Sequence, residues 1–190
     1  MKVAPYLYLL KSLTLIMELE EIIEQIGNVS KAEIKRVAPK DCSEIKKIIL
    51  NSNPNDPYRK MVLGYLTSLC AECMYPDTLH IPKDNLDYIG FELDRGNIEV
   101  GAAGNMLGTC MRNGKIAAGT AGDDTGKSMV GGEIIAGEIK SIGDTIGGRI
   151  ITKKVEKIAK KQGAQIFIKG VIFKRRLLDR LFGKDRFFKM

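Results

Sequence analysis

The stretch that decides the fold runs from residue 96 to residue 152. It contains four related segments: 96–101 (GNIEVG), 114–119 (GKIAAG), 132–137 (GEIIAG) and 148–152 (GRIIT). Their leading glycines are 18, 18 and 16 residues apart, and 14 of the chain's 20 glycines lie between residues 96 and 150. The sequence between the segments repeats as well, because AGN at 103–105 corresponds to AGD at 121–123.

Each segment alternates glycine, polar residue, isoleucine, variable residue and small residue. This alternation predicts a short strand with its isoleucine inward. A period of 18 residues is too short for a pair of helices, and such a density of glycine opposes long helices. One segment cannot bury its own isoleucine, but stacked segments can, with about 4.8 Å between successive coils.

The repeat therefore predicts a ladder with an inward row of isoleucines and a second row of methionines. The small side chains of Ala118 and Ala136 are expected to fill the narrower part of the interior. Glycines are expected where the chain turns a corner or where two backbones approach closely. The positions assigned to the repeat are Gly96, Ile98, Gly101, Gly104, Gly108, Met111, Gly114, Ile116, Gly119, Gly122, Gly126, Met129, Gly132, Ile134, Gly137, Gly148 and Ile150.

The predicted fold class is mainly β with helical caps: a short right-handed parallel β-helix of about 18-residue coils. We expect an α-helical region and cap at 1–90, the glycine-rich β-helix at 91–152, and a basic helix–strand–helix cap and tail at 153–190. Outside the repeat, hydrophobic spacing and capping residues predict helices at 18–27, 43–50, 58–74 and 152–162, strands at 86–93 and 165–169, and a tail at 174–190 that is helical up to Gly183.

The pattern G-x-A-G-[ND]-x-x-G-x-x-M-x-x-G-x-I resembles the glycine-rich (GXGXG) β-helix family. That family includes the β-helix subunit of formylmethanofuran dehydrogenase and the C-terminal domain of the glutamate synthase large subunit. Met111 and Met129, the latter followed by Gly131-Gly132, make the chain look more like the former.

The resemblance implies a rigid scaffold that organises neighbouring catalytic subunits of an oxidoreductase system, with no catalytic residue and no cofactor of its own. A glutamate-synthase-like module in glutamate biosynthesis is the alternative that the resemblance leaves open. Protein subunits of a redox enzyme are the expected partners, and a homo-oligomer is a further alternative.

Charge is distributed unevenly along the chain, whose formal net charge is +7. Residues 151–190 carry 13 basic and 3 acidic side chains, whereas the first 150 residues are slightly acidic. The segment 174–190 predicts a solvated cap that packs on the last coil. The alternatives are a surface that docks a partner protein and one that binds nucleic acid or an anionic membrane. A basic-tailed binding module is therefore a third function from a different class.

Four cysteines are too few for a disulfide scaffold in a chain of 190 residues, and we predict a cytoplasmic, reducing compartment. Cys70 and Cys73 have metal-ligand spacing, and Cys42 and Cys110 could complete a four-thiolate zinc or iron–sulfur site. The alternative is a buried or free thiol pair, since cysteines three apart on a helix are often small core residues.

Two further patterns have weaker claims to chemistry. Residues 121–128 (AGDDTGKS) fit the loose phosphate-loop pattern, but the 18-residue repeat already accounts for both glycines, and two aspartates would repel phosphate. The single histidine, His80, has no G-x-S-x-G nucleophile elbow to serve and is expected in a loop or cap.

The N-terminal stretch from Val3 to Met17 is apolar, but it is interrupted by Lys11 and is shorter than a bilayer span requires. It predicts a buried or capping helix in preference to an anchor. Synthesis from Met17 is an alternative.

Overall fold

The computed structural model describes residues 18–173. Within these residues, four helices precede a sheet of seven strands. No helix between residues 18 and 173 is long and apolar enough to cross a membrane. The helices are α1 Leu19–Gln25, α2 Lys31–Val37, α3 Cys42–Asn51 and α4 Pro57–Met74, and the strands are β1 Thr78–Ile81, β2 Asn97–Ala102, β3 Lys115–Ala121, β4 Glu133–Ile142, β5 Arg149–Ile158, β6 Gln165–Ile168 and β7 Val171–Ile172.

The helices begin where side chains cap them. Asp56 accepts a hydrogen bond from the Arg59 N–H and Pro57 follows at the first helical position, so α4 starts with two favourable signals. Asp41 caps α3 in the same way, through the Ser43 N–H. Helices α1, α3 and α4 confirm the predicted helices at 18–27, 43–50 and 58–74. Helix α2 was not predicted, although Ser30 accepts from the Glu33 N–H in the spacing of a capping box.

The strands form a parallel β-helix of about five turns, which confirms the predicted fold class. Sheet order follows chain order, and β1 to β6 pair in parallel. Residues in register are 19, 18, 18, 16 and 16 apart in successive pairs, so the last two coils are the shortest. The ladder extends on both sides of the predicted 91–152 range, from Thr78 to Ile168.

The predicted column of isoleucines is confirmed and is longer than the repeat. Its residues are Leu79, Ile98, Ile116, Ile134, Ile150 and Ile166, all in register and at most 1% exposed. Met111 and Met129 are also fully buried. This continuous apolar column supplies the hydrophobic free energy that one coil alone cannot gain.

Glycines let successive backbones approach one another. A Cβ atom at Gly119 would lie 2.6 Å from the Gly101 carbonyl oxygen, so no larger residue fits without moving the coil. At Gly114 the same clash, 2.7 Å to the Gly96 oxygen, combines with a φ of +88°. These two positions of the repeat are therefore restricted to glycine by the close approach of the neighbouring backbone.

Two predicted elements were wrong. Residues 86–93 form turns instead of a strand, because Tyr88, Gly90 and Glu92 adopt positive φ and the backbone bonds to the next coil. Residues 152–162 belong largely to strand β5 instead of a lysine-rich helix. Val155 lies in register with Ile139, so the unpaired edge of β4 outweighs the helix propensity of the lysines. The strand predicted at 165–169 is confirmed as β6.

Candidate functional site

A charged cluster joins the helical region to the first coils. The Lys31 ammonium lies 2.6 Å from a Glu72 carboxylate oxygen and 2.6 Å from one of Asp94, and it also donates to the Glu92 carbonyl at 2.7 Å. Arg112 bonds the other Asp94 oxygen at 3.2 Å. Burial acts to raise the pKa of Asp94, but hydrogen bonds from Lys31 and Arg112 outweigh it, so the net pKa is lowered.

Tyr65 and Cys110 border this cluster. The Tyr65 hydroxyl donates to Glu92 at 2.8 Å, and burial together with this bond raises the pKa of Tyr65. Burial and the Glu92 charge raise the pKa of the Cys110 thiol. The hydroxyl and the thiol thus stay protonated at neutral pH, which suits a structural contact and not a nucleophile.

A second set of polar side chains stacks along one corner of the coils. Asp87 accepts from the Asn105 N–H at 2.7 Å, and Asn105 accepts from the Asp123 N–H at 2.8 Å. Asp123 then accepts from the Ser141 hydroxyl at 3.0 Å. Each side chain satisfies a backbone or hydroxyl donor one coil further along. The stack therefore holds the coils in register.

The loop that fits the phosphate-loop pattern lies in this corner. Every backbone N–H from Gly122 to Ser128 donates to an acceptor within the protein. The Lys127 ammonium lies 3.0 Å from Asp124. A phosphate loop needs bare N–H groups and a free lysine, so this segment acts as a coil corner and not as a nucleotide site.

The structure does not gather the four cysteines that the sequence proposed as metal ligands. Cys42 and Cys73 form a disulfide between α3 and α4, while Cys70 and Cys110 are free. Cys70 is buried beside the disulfide and Cys110 lies in the coils. Among residues 18–173 no group of three or more His, Cys, Asp or Glu side chains could hold a metal ion. The disulfide sulfurs are not thiolate ligands in this form.

His80 lies in strand β1, and not in the loop or cap that the sequence predicted. Its Nδ1 is 3.1 Å from a Glu99 carboxylate oxygen on the neighbouring strand. Both side chains are well exposed, at 64% and 60%. This is a cross-strand surface pair.

Two clefts open near the helices. A cleft of about 540 Å³ is lined by the start of α1 and the turn before α4, where Arg59 is held by Glu20 and Asp56. The hydrogen bonds that Arg59 donates to these two carboxylates raise its pKa. A second cleft of about 370 Å³ contains Lys60, which lies 3.0 Å from Asp87. The arginine and the lysine are both held in internal ion pairs.

Exposed charges alternate in sign between neighbouring strands. Glu133 lies between Lys115 and Arg149, at 3.5 Å and 3.2 Å. Glu138 pairs with Lys154 at 3.3 Å. Opposite charges directly across a ladder stabilise the observed register and oppose a shifted one.

Sequence reasoning missed the disulfide and the charged cluster. Cysteines 31 residues apart on separate helices carry no pairing signal. Lys31 meets its partners from a helix that was not predicted. The predictions for residues 1–17 and for the basic tail at 174–190 lie outside the described residues.

Comparison of the chain with family models, with curated proteins and with solved structures gives no match. The resemblance to the glycine-rich β-helix family therefore rests on the repeat itself.

Proposed function

We propose that this protein is a non-catalytic accessory scaffold of an oxidoreductase system, similar in role to the β-helix subunit of formylmethanofuran dehydrogenase. The observation that carries the proposal is the unbroken parallel register from β1 to β6. The phosphate-loop-like segment at 121–128 is the pattern in the repeat that could signal catalysis, and its backbone N–H groups hold neighbouring coils together. What remains for function is a rigid shape and its surface.

A stacked ladder suits this role physically. Each coil contacts only its neighbours, so the surface is a fixed array of short strands. A partner can bind this surface without the entropic cost of ordering the chain. The proposed setting is the cytoplasm, with redox-enzyme subunits as partners. In the proposal, those subunits hold the redox cofactors and this chain holds none.

The test is purification of the tagged full chain at its natural expression level, followed by gel filtration and mass spectrometry. We expect it to elute well above its own mass of 21.0 kDa with subunits that carry redox cofactors in near-equal amounts. Partners of formylmethanofuran chemistry would support the leading proposal, and partners of glutamate synthesis would support the alternative. Elution as the isolated chain or only with copies of itself would contradict both.

A polyanion-binding module is a second candidate, favoured by the lysines of the last coil. Lys153, Lys154, Lys157 and Lys160 are exposed on β5 and just after it. Retention on nucleic acid or on anionic vesicles should then fall steeply with salt. A chain with Lys153→Gln and Lys160→Gln should bind more weakly and show a shallower salt slope. Retention that is absent at low salt would remove this candidate.

A further inference from the structure

A disulfide lies on the surface of the helical region, and we propose that it is a thiol–disulfide exchange site at which an external dithiol reduces the protein through Cys73. The two ends of the bond are unequal: residue Cys73 is exposed, whereas Cys42 is partly buried. An attacking thiolate needs access to a sulfur, so the exposed end is the one it reaches. The inference goes beyond the scaffold role and does not depend on it.

Cys42 is placed to leave as a thiolate. It is the first residue of the ten-residue helix α3, after the N-cap Asp41. Helix N-termini stabilise negative charge, and stable thiolates leave faster from a disulfide. The carboxylates of Asp41 and Glu44 lie in the same turn and act in the opposite sense.

The third cysteine nearby does not compete. The Cys70 thiol is fully buried, donates to the Cys42 carbonyl at 3.5 Å and lies 3.9 Å from the Met74 sulfur. Burial raises the pKa of Cys70 to about 11, so it stays a protonated thiol at neutral pH. Exchange therefore requires a thiol from outside the protein.

The chemistry balances in two steps. The first thiolate of the dithiol attacks the Cys73 sulfur, which forms a mixed disulfide and releases Cys42 as a thiolate. The second thiolate of the dithiol attacks its own sulfur in the mixed disulfide, which releases Cys73 as a thiolate and closes the dithiol into a disulfide. Two electrons pass from the dithiol, which is oxidised, to the protein, which is reduced.

Reduction should loosen the helical region without unfolding it. Ile45, Ile48 and Ile49 of α3 are buried, and α3 packs against α4, so the two helices stay together without the bond. Cys73 lies one residue before the end of α4, shortly before β1 begins. In the reducing cytoplasm that the sequence predicts, disulfides are usually transient or redox-sensing, as this site requires.

The test treats the oxidised full chain with graded concentrations of dithiothreitol and then alkylates it with iodoacetamide under native conditions before peptide mapping. We expect Cys42 and Cys73 to become alkylated together while the fully buried Cys70 stays unlabelled and the circular dichroism spectrum is unchanged. A bond that resists reduction until the protein is unfolded would overturn the proposal. So would alkylation of Cys42 and Cys73 in protein that was purified aerobically and never reduced.

Peptide mapping of the first mixed disulfide identifies the attacked sulfur. Glutathione added to the oxidised native chain should form its mixed disulfide at Cys73 at least about tenfold faster than at Cys42, because the attacking thiolate needs access to the sulfur. Equal rates, or a faster reaction at Cys42, would contradict attack at Cys73. Cys70→Ala is the matched control and should leave the rate of exchange in the otherwise native chain unchanged. If this variant no longer exchanges, Cys70 takes part in the reaction.

Discussion

The middle coils and the last coils share one interior column and differ in another. The isoleucine column runs unchanged from β2 to β6. The column on the opposite side starts as Leu93, Met111 and Met129, all fully buried, and continues as Thr145 and then Lys161. This column therefore turns from apolar to polar where the period of the coils drops from 18 residues to 16.

The difference teaches that strand pairing and interior packing are separable in a β-helix. Thr145 is fully buried, and its hydroxyl has no hydrogen-bond partner among residues 18–173. Lys161 is partly buried and donates to the carbonyls of Ala164 and Phe173. Both strands nearby remain in register. The ladder thus tolerates two polar side chains in one interior column at its end, at a cost in the free energy of unfolding.

The strongest test of this contrast is removal of the same side chain from each region. Ile134→Ala opens a cavity between Ile116 and Ile150, and we expect a loss of about 4 kcal/mol in the free energy of unfolding. Ile166→Ala lies in the last parallel strand, where the surroundings can collapse, and should cost about 2 kcal/mol. Urea denaturation followed by circular dichroism measures both.

Ile151→Ala is the control, because its side chain is only partly buried in the same strand as Ile150. It should cost less than either of the other two substitutions. Equal losses for Ile134→Ala and Ile166→Ala would show that the surroundings of the two side chains are equally unable to collapse into the cavity.

The sequence predicts the isoleucine column because identical spacing carries it, and the glycines follow from the same period. The second column could not be predicted beyond Met129, because a deletion of two residues shifts the register between Gly132 and Gly148. Lys153 to Lys161 suggests a helix by local propensity, and only the edge offered by β4 decides otherwise. The disulfide and the Lys31 cluster depend on contacts between distant segments, which local patterns do not encode.

Thr145→Val tests the polar end directly. The substitution replaces an unpaired buried hydroxyl with a methyl group of nearly the same shape, so we expect a gain of about 1–2 kcal/mol in the free energy of unfolding. Thr152→Val is the matched control, because the Thr152 hydroxyl donates to the Lys154 carbonyl at 2.8 Å and accepts from the Lys154 N–H at 3.3 Å, so its loss should destabilise. A loss at Thr145 as large as at Thr152 would mean that the hydroxyl has a partner in solution.

Lys161 makes the free energy of unfolding depend on pH through a group at the same end of the molecule. Burial lowers the pKa of Lys161 from 10.5, so the folded state releases this proton before the unfolded state does. The unfolded chain then binds more protons in that window, and stability rises as the pH increases through the folded pKa toward 10.5. Relative to Lys161→Met, the native protein should gain stability as the pH rises through the lowered pKa of Lys161 toward 10.5, as measured by urea denaturation. An unchanged difference across that range would contradict a perturbed lysine.

The surface ion pairs should have the smallest effect on the free energy of unfolding. They test whether charge pairs across the strands add to the stability of the coils. Glu138 and Lys154 are 60% and 58% exposed, so their mutual attraction is screened by water and salt. A double-mutant cycle with Glu138→Gln and Lys154→Gln should give a coupling energy of about 0.5 kcal/mol or less, falling further at high salt. The same cycle at Glu133 and Arg149, where the glutamate is 24% exposed, should give a larger value. If both couplings vanish, the alternating charges act only against shifted registers and add nothing to the stability of this one.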